Sequence, residues 1–307
     1  MKQASSDFSL NSLLKRLAIQ QPSAEQAIYP SWPGLEHSSL AIKRDDLLHP
    51  IISGNKWRKL QRSLLVVVQQ NIKHLISFGG GFSNHLHALG YCCHQLNIKF
   101  TAIVRGDYSV NPTPMLLDLI KWQTDIQYVN KITYQQRDEP DYLIELQIKY
   151  PNALIIPEGG SNKLALQGVG EIVSELSQNY DYIVAPVASG GTLAGLINVT
   201  RDSPSKILGI GVLKGQGYLE DLVQHLLPQS AHHWSINHNY HFGGYAKSST
   251  ELQDFCTDFY QQTQIEIEPI YSAKLFFALK DLLAKGFFPM DSKILALHTG
   301  GLQGART

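Results

Sequence analysis

Two apolar runs in this chain end on glycine and pass straight into a helical pattern, and a third ends on glycine near the last residues. His74-Leu75-Ile76-Ser77-Phe78 meets Gly79-Gly80-Gly81, and Tyr182-Ile183-Val184-Ala185-Pro186-Val187 meets Ser189-Gly190-Gly191-Thr192. Ile294-Leu295-Ala296-Leu297 meets His298-Thr299-Gly300-Gly301. A short apolar strand stopped by glycine before a helix is the βα turn of a parallel sheet, which confines the chain to α/β architectures. Leu40–Arg44, Phe100–Val104, Ile126–Val129, Ala153–Ile156 and Ile207–Val212 continue the rhythm as strands. Helical spacing follows Lys56 (Leu60, Leu64, Leu65, Val68), opens near Ser83, and covers Pro114–Trp122, Asp138–Lys149, Tyr218–Leu227, Ser249–Gln261 and Ser272–Ala284. Residues 8 to 35 give a short helix through Leu10, Leu13, Leu14 and Leu17, then a Pro-rich loop.

The expected fold is therefore α/β, with two open, mostly parallel twisted sheets covered by helices and a ligand cleft at the carboxyl ends of the strands. No Ser/Gly-rich linker separates the halves, so the domains are expected to intertwine. Residues 1–55 and 161–307 form the larger expected unit, and 56–160 a smaller inserted one.

The 26 basic and 26 acidic residues cancel, so no nucleic-acid or membrane surface is expected. Hydrophobic content of 43% and charged content of 17% suit an ordinary globular protein. Cys92, Cys93 and Cys256 make no disulfide framework, which favours a reducing, cytoplasmic setting. Met1-Lys2-Gln3-Ala4-Ser5-Ser6-Asp7 is polar and lacks a signal-peptide core, and the dense apolar run Leu64–Val68 is far too short to cross a bilayer. His232, His233, His238 and His241 have no i, i+4 pair or Cys/carboxylate companion, so no metal site is expected. Cys92 and Cys93 are adjacent in a helix pattern and are expected to pack in the core.

One helix start carries an electrostatic conflict. Lys56, Arg58 and Lys59 follow Gly54-Asn55 on the first turn, against the positive end of the helix dipole. A solvated basic edge and an anion-binding or nucleophilic lysine site both account for this. Ser189-Gly190-Gly191-Thr192 has the makings of a phosphate cradle, with free backbone N–H groups, two hydroxyls and a following helix. It lacks both the Gly-Lys-Ser/Thr of a nucleotide loop and the Gly-x-Gly-x-x-Gly of a dinucleotide fold. Ser83-Asn84-His85 is either a plain helix cap or a carboxylate-binding helix start. Tyr245, after Gly243-Gly244, and Tyr271, after Pro269-Ile270, are either core-edge or site residues.

Taken in order, these segments resemble the 1-aminocyclopropane-1-carboxylate deaminase/D-cysteine desulfhydrase family of pyridoxal-phosphate enzymes, of the tryptophan-synthase-β type (fold type II). The resemblance rests on Lys43-Arg44-Asp45-Asp46, His49-Pro50, Gly54-Asn55-Lys56-x-Arg58-Lys59-Leu60 and Gly79-Gly80-x-x-Ser83-Asn84-His85. It continues through Pro157-Glu158-Gly159-Gly160-Ser161-Asn162, Ser189-Gly190-Gly191-Thr192, Pro269-Ile270-Tyr271 and His298-Thr299-Gly300-Gly301. It implies that the cleft between the domains holds pyridoxal 5′-phosphate, that Lys56 bonds the cofactor and moves protons at the substrate Cα, and that Lys59 stands near the phosphate. It assigns Ser189, Gly190, Gly191 and Thr192 to the phosphate loop, and Asn84 to the cofactor's 3′-oxygen. Asn55, Ser272 and Thr299 join the cofactor site, while Ser83, Asn84 and His85 grip the substrate carboxylate. Ser83, Tyr245 and Tyr271 stand with Lys56 as catalytic candidates. It also implies a homodimer acting on a small amino acid.

Crowding by Arg58, Lys59 and the helix dipole would depress the Lys56 pKa. A neutral Ser272 facing the pyridine nitrogen would moderate the electron sink and favour β-elimination. Members acting on the cyclopropane acid resemble one another in having Glu where this chain has Ser272 and Leu where it has Thr299. The hydroxyl pair, together with His85, favours elimination from D-cysteine or a related β-substituted D-amino acid. The alternatives are ring opening of the cyclopropane acid and a protein that holds the cofactor without turnover. Departures from the family pattern are Gly81-Phe82 for Ile/Val-Gln, Ser53 for Gly, Ser272-Ala273-Lys274 for a Gly-Lys context, and an early stop after Gly304. Phe82 is expected at the pocket entrance.

Overall fold

The computed structural model describes residues 8–52 and 54–305, so Met1–Asp7, Ser53 and the two residues that end the chain lie outside it. Among the described residues ten strands form two sheets. They are β1 (Glu25–Ile28), β2 (Ser38–Lys43), β3 (His74–Gly80), β4 (Lys99–Arg105), β5 (Asp125–Val129), β6 (Ala153–Ile155), β7 (Tyr182–Val187), β8 (Lys206–Gly211), β9 (Trp234–Asn237) and β10 (Ser292–Leu297). The larger sheet has the order β1-β2-β10-β7-β8-β9 and the smaller β5-β4-β3-β6. Every pairing is parallel except that of β1 with β2, at the edge of the larger sheet.

The expected strands are present, and further elements join them, among them a short helix, Lys131–Gln135. β1 lies in the stretch expected to be loop, where it pairs Glu25 with Lys43 and Ile28 with Leu40. β9 is a short far edge. Helix Lys163–Ser174 is interrupted in sequence by Gly168 and Gly170, and packing explains why. A β-carbon on Gly168 would fall 2.2 Å from the Arg58 carbonyl oxygen, and one on Gly195 2.5 Å from Val169. Glycine lets three helices, Asn55–Gln69, Lys163–Ser174 and Gly191–Val199, approach closely enough to bury one another. The expected Asp138–Lys149 helix is shorter, Pro140–Lys149, because proline suits a first helical turn. No helix among the described residues is long and apolar enough to cross a membrane.

Each face of the larger sheet is covered. Phe255, Phe259, Phe276 and Leu279 pack beneath Leu40, Val184 and Ile294 on one side, while Leu166, Val169, Leu193 and Ile197 pack on Ile183, Ala185 and Leu295 on the other. The core beside the smaller sheet gathers Leu64, Leu75, Leu89 and Phe100, and also Leu13, Leu17, Ile19, Leu48 and Ile52 from the N-terminal segment. That segment precedes the Lys56 helix in sequence but packs on the smaller sheet's side.

Arg58 ties these layers together. Its guanidinium is fully buried, with Nη2 2.8 Å from Asp45 Oδ1 and Nη1 2.5 Å from Glu175 Oε1. Lys43, also fully buried, reaches Glu175 at 3.1 Å and donates to the Ser23 carbonyl. Two acids and two bases thus complete one another across β2, the Lys56 helix and the end of the Lys163–Ser174 helix. Removing one member leaves a buried charge unmatched, at a cost of roughly 3–5 kcal/mol. Arg58→Met should therefore destabilise the fold by that order in urea unfolding, and an unchanged midpoint would refute the assignment.

Candidate active site

The site assembles where the carboxyl ends of both sheets meet, as parallel strands place it. Gly54 caps the Lys56 helix at φ 67°, ψ −144°. A side chain there would be impossible, since its β-carbon would lie 1.6 Å from the Thr299 carbonyl oxygen. Asn55 N donates to that same oxygen at 3.2 Å, so the helix start is seated on the end of β10. Asn55 Nδ2 donates to Thr192 Oγ1 at 3.0 Å, and Lys56 Nζ donates to Asn55 Oδ1 at 2.9 Å. Across the turn, a β-carbon on Gly301 would lie 3.0 Å from Asn84 Nδ2 and 4.0 Å from Tyr271. Lys56, Asn84, Thr192, Tyr271 and the Thr299–Gly301 turn therefore share one cleft.

The three cations of the first helical turn separate. Arg58 points into its ion-pair network. Lys59 is 1% exposed, and its ammonium donates to Ser189 Oγ at 3.2 Å and Ser161 Oγ at 3.3 Å. No carboxylate pairs with it among the described residues. Burial holds Lys59 well below the ordinary lysine range, and the Lys56 charge adds to this. A buried ammonium beside hydroxyls, the left-handed Gly190 (φ 74°) and the start of the Gly191–Val199 helix is a donor set that fits an anion such as a phosphate ester. A β-carbon on Gly191 would lie 2.6 Å from Ser161 Oγ, closing this cradle.

Lys56 is half-buried, and desolvation draws its amine from 10.5 to about 8, with Glu268 opposing. The expected crowding by Arg58 is absent because its charge is matched elsewhere. Glu268 was not anticipated. Its carboxylate accepts from the backbone N–H groups of Ile270 (2.7 Å), Tyr271 (2.9 Å) and Ser272 (2.8 Å), while burial pushes it up to about 7. The Ser272 hydroxyl also donates to Glu268, at 3.1 Å from Oε1, and accepts from the Glu268 N–H at 2.8 Å. An acid just ahead of Pro269 and a helix start was the available signal. Tyr245 and Tyr271 meet through their hydroxyls at 2.9 Å, and burial raises both phenols.

Ser83 caps helix Asn84–Leu96, accepting from Leu86 N. His85 is turned inward: it is 2% exposed, its Nε2 lies 2.7 Å from Ser77 Oγ, and its buried Nδ1 has no hydrogen-bond partner among the described residues. Phe82 is 52% exposed on the turn ahead of Ser83. The four histidines do not converge. His233 meets Thr200, His238 meets Glu220, and His241 accepts from the Gly243 N–H.

A family profile described as pyridoxal-phosphate dependent enzyme matches residues 30–300. The chain belongs to this family. Pyridoxal phosphate is thus the enzyme's cofactor, and the cradle around Lys59 fits its phosphate. A crystal structure titled as an ACC deaminase homologue superposes with a TM-score of 0.76 at 26% identity, covering 96% of each chain. The bifunctional D-cysteine desulfhydrase/1-aminocyclopropane-1-carboxylate deaminase of Arabidopsis thaliana, a mitochondrial protein by name, is 29% identical over 301 residues, 89% of this chain and 75% of that one. A Pyrococcus horikoshii protein provisionally named 1-aminocyclopropane-1-carboxylate deaminase is 27% identical over 277 residues, 86% of this chain and 84% of that one. Serine racemase from Dictyostelium discoideum, at 14% identity and TM-score 0.64 over 95% and 94% of the two chains, shares the fold.

The burial of Lys56 has a direct consequence. In the apoenzyme, acylation of Lys56 by an amine-selective reagent should rise with a midpoint at about pH 8, read by peptide mapping. A midpoint in the ordinary lysine range would show that the amine is solvated.

Proposed function

We propose that this enzyme is a deaminating lyase acting on a small amino acid, above all by β-elimination from D-cysteine or a related β-substituted D-amino acid. With one water consumed, D-cysteine would give pyruvate, ammonia and sulfide. The observation that carries the reading is the seating of Lys56, Asn84 and Tyr271 around the single turn Thr299–Gly301. Bound pyridoxal phosphate supplies the electron sink for the bond broken at the substrate Cα.

The neutral fraction of the Lys56 amine would hold the cofactor, and the same nitrogen, once the substrate amine had displaced it, would take and return the Cα proton. Lys59, Ser189, Gly190, Gly191 and Thr192 would hold the phosphate, with Ser161 sharing the Lys59 ammonium. Asn55 orients Lys56, and Asn84 would hydrogen-bond the cofactor's 3′-oxygen. Ser83 and the Asn84–Leu96 helix start receive the substrate carboxylate, while His85 supports that turn from below. Tyr245 Oη and Tyr271 Oη, which share a 2.9 Å hydrogen bond, are the hydroxyls assigned to hand a proton to the departing group. Ser272 and Thr299 are the hydroxyl pair that the resemblance ties to elimination, although the Ser272 hydroxyl, expected to face the pyridine nitrogen, is held instead by Glu268.

Ring opening of 1-aminocyclopropane-1-carboxylate to 2-oxobutanoate and ammonia is the second reading. Glu268 favours it by bringing a carboxylate within 3.1 Å of the Ser272 hydroxyl, and relatives carry the name of that activity. We also propose a cytoplasmic homodimer, with the larger unit at 1–55 and 161–307 and the smaller at 56–160.

Purified holoenzyme should show the visible absorbance band of lysine-bound pyridoxal phosphate, and Lys56→Ala should abolish it together with turnover. Lys59→Met should weaken cofactor affinity about tenfold to a hundredfold, the worth of one charge-assisted contact. Product release from D-cysteine, L-cysteine, D-serine and the cyclopropane acid would choose between the two readings. A protein that takes up no cofactor would end both.

A further inference from the structure

Lys274 lies in the first turn of helix Ser272–Ala284 and is fully buried. Its ammonium pairs with no carboxylate among the described residues. Its three hydrogens go to three backbone carbonyls, of Val212 at 3.1 Å, His241 at 3.0 Å and Gly244 at 2.9 Å. A protonated lysine has three N–H donors, so this set fills its capacity. A buried charge bound in this way has a structural object, and its acceptors identify that object.

Val212 follows β8 and is anchored in the sheet. His241 and Gly244 belong to the turn that carries Tyr245. That turn is held to the core by one side chain, Phe242, which packs edge-on against Phe277 at 5.0 Å, while Gly243, Tyr245 and Ala246 are exposed. Phe242, Gly243, Gly244 and Ala246 all have positive φ (50°, 90°, 129° and 53°), and a β-carbon on Gly244 would meet nothing within 4 Å. Tyr245 is 47% exposed, yet its hydroxyl lies 2.9 Å from that of Tyr271. On the other side, Glu268 gathers the N–H groups of Ile270, Tyr271 and Ser272. A buried anion thus fixes the backbone of one tyrosine and a buried cation the turn of the other.

We propose that Lys274 is a positioning residue, which gathers the Val212, His241 and Gly244 carbonyls to hold Tyr245 Oη at hydrogen-bonding distance from Tyr271 Oη. The inference rests on the reading of this tyrosine pair as the proton-handling group of the site. Without Lys274 the turn keeps its Phe242 contact but loses its polar tether to the Val212 carbonyl, so Tyr245 samples positions away from Tyr271. The chemical step should suffer more than substrate capture, which depends on the Ser83 turn.

The test is a cycle on holoenzyme with Lys274→Met, Lys274→Gln, Tyr245→Phe and the double variants, together with amide hydrogen exchange over residues 241–246. Each Lys274 variant should retain the visible cofactor band, exchange faster in this segment and lose about tenfold in kcat with little change in KM. In the Tyr245→Phe background the same substitutions should cost less than about twofold more, because the group they misplace is already gone. Full multiplicative loss in the double variants, unchanged exchange, or failure of both Lys274 variants to fold would overturn the proposal. Wild-type kcat in Tyr245→Phe would refute the catalytic reading of the pair, while the exchange data still decide whether Lys274 tethers the turn. Should the whole substrate panel prove inert, accelerated exchange would still support the tether and unchanged exchange would still overturn it.

Discussion

The site depends on a contact that no side chain could survive. Gly54 lies so close to the Thr299 carbonyl oxygen that a β-carbon would overlap it, and the same oxygen accepts the Asn55 N–H. This joins the start of the Lys56 helix to the end of the central strand β10. Because β10 lies between β2 and β7, the contact also fixes Lys56 relative to the Ser189–Thr192 loop that follows β7. Asn55 completes the link by bonding Thr192 on one side and Lys56 on the other.

Around this seat, burial rather than proximity of like charges does most of the electrostatic tuning. The Lys56 amine is drawn down by desolvation, and Glu268, itself pushed up by burial, pulls the other way. Arg58, which stands two residues from Lys56, leaves it undisturbed because Asp45 and Glu175 absorb its charge. Lys59 pairs with no carboxylate among the described residues, and it faces the glycine-rich cradle. One helical turn therefore carries a desolvated amine at Lys56, a structural ion pair at Arg58 and, at Lys59, a buried amine beside two hydroxyls.

Helical spacing contained part of that division. Positions 56 and 59 lie on one face of a helix and 58 on the opposite one. Which face meets the cleft was not legible, because it depends on where the Lys163–Ser174 helix packs. That helix was itself hidden, since Gly168 and Gly170 interrupt its apolar spacing. They are required by close contact with the Lys56 helix and its neighbours, and such contact is a property of the assembled layers. β1 and β9 were missed for a related reason: short edge strands acquire their identity from a partner rather than from their own pattern.

Local chemistry, written in residue order, determined the α/β class, the parallel strands, the glycine-rich turns and the candidate lysine. These follow from apolar periodicity and from the backbone freedom of glycine, both of which act over a few residues. Tertiary structure decided the rest: the inward turn of His85, the binding of the Ser272 hydroxyl by Glu268, the joining of Tyr245 to Tyr271, and the tether made by Lys274. Each of these joins groups brought together by packing, and the burial that sets their protonation exists only once the layers have closed around them.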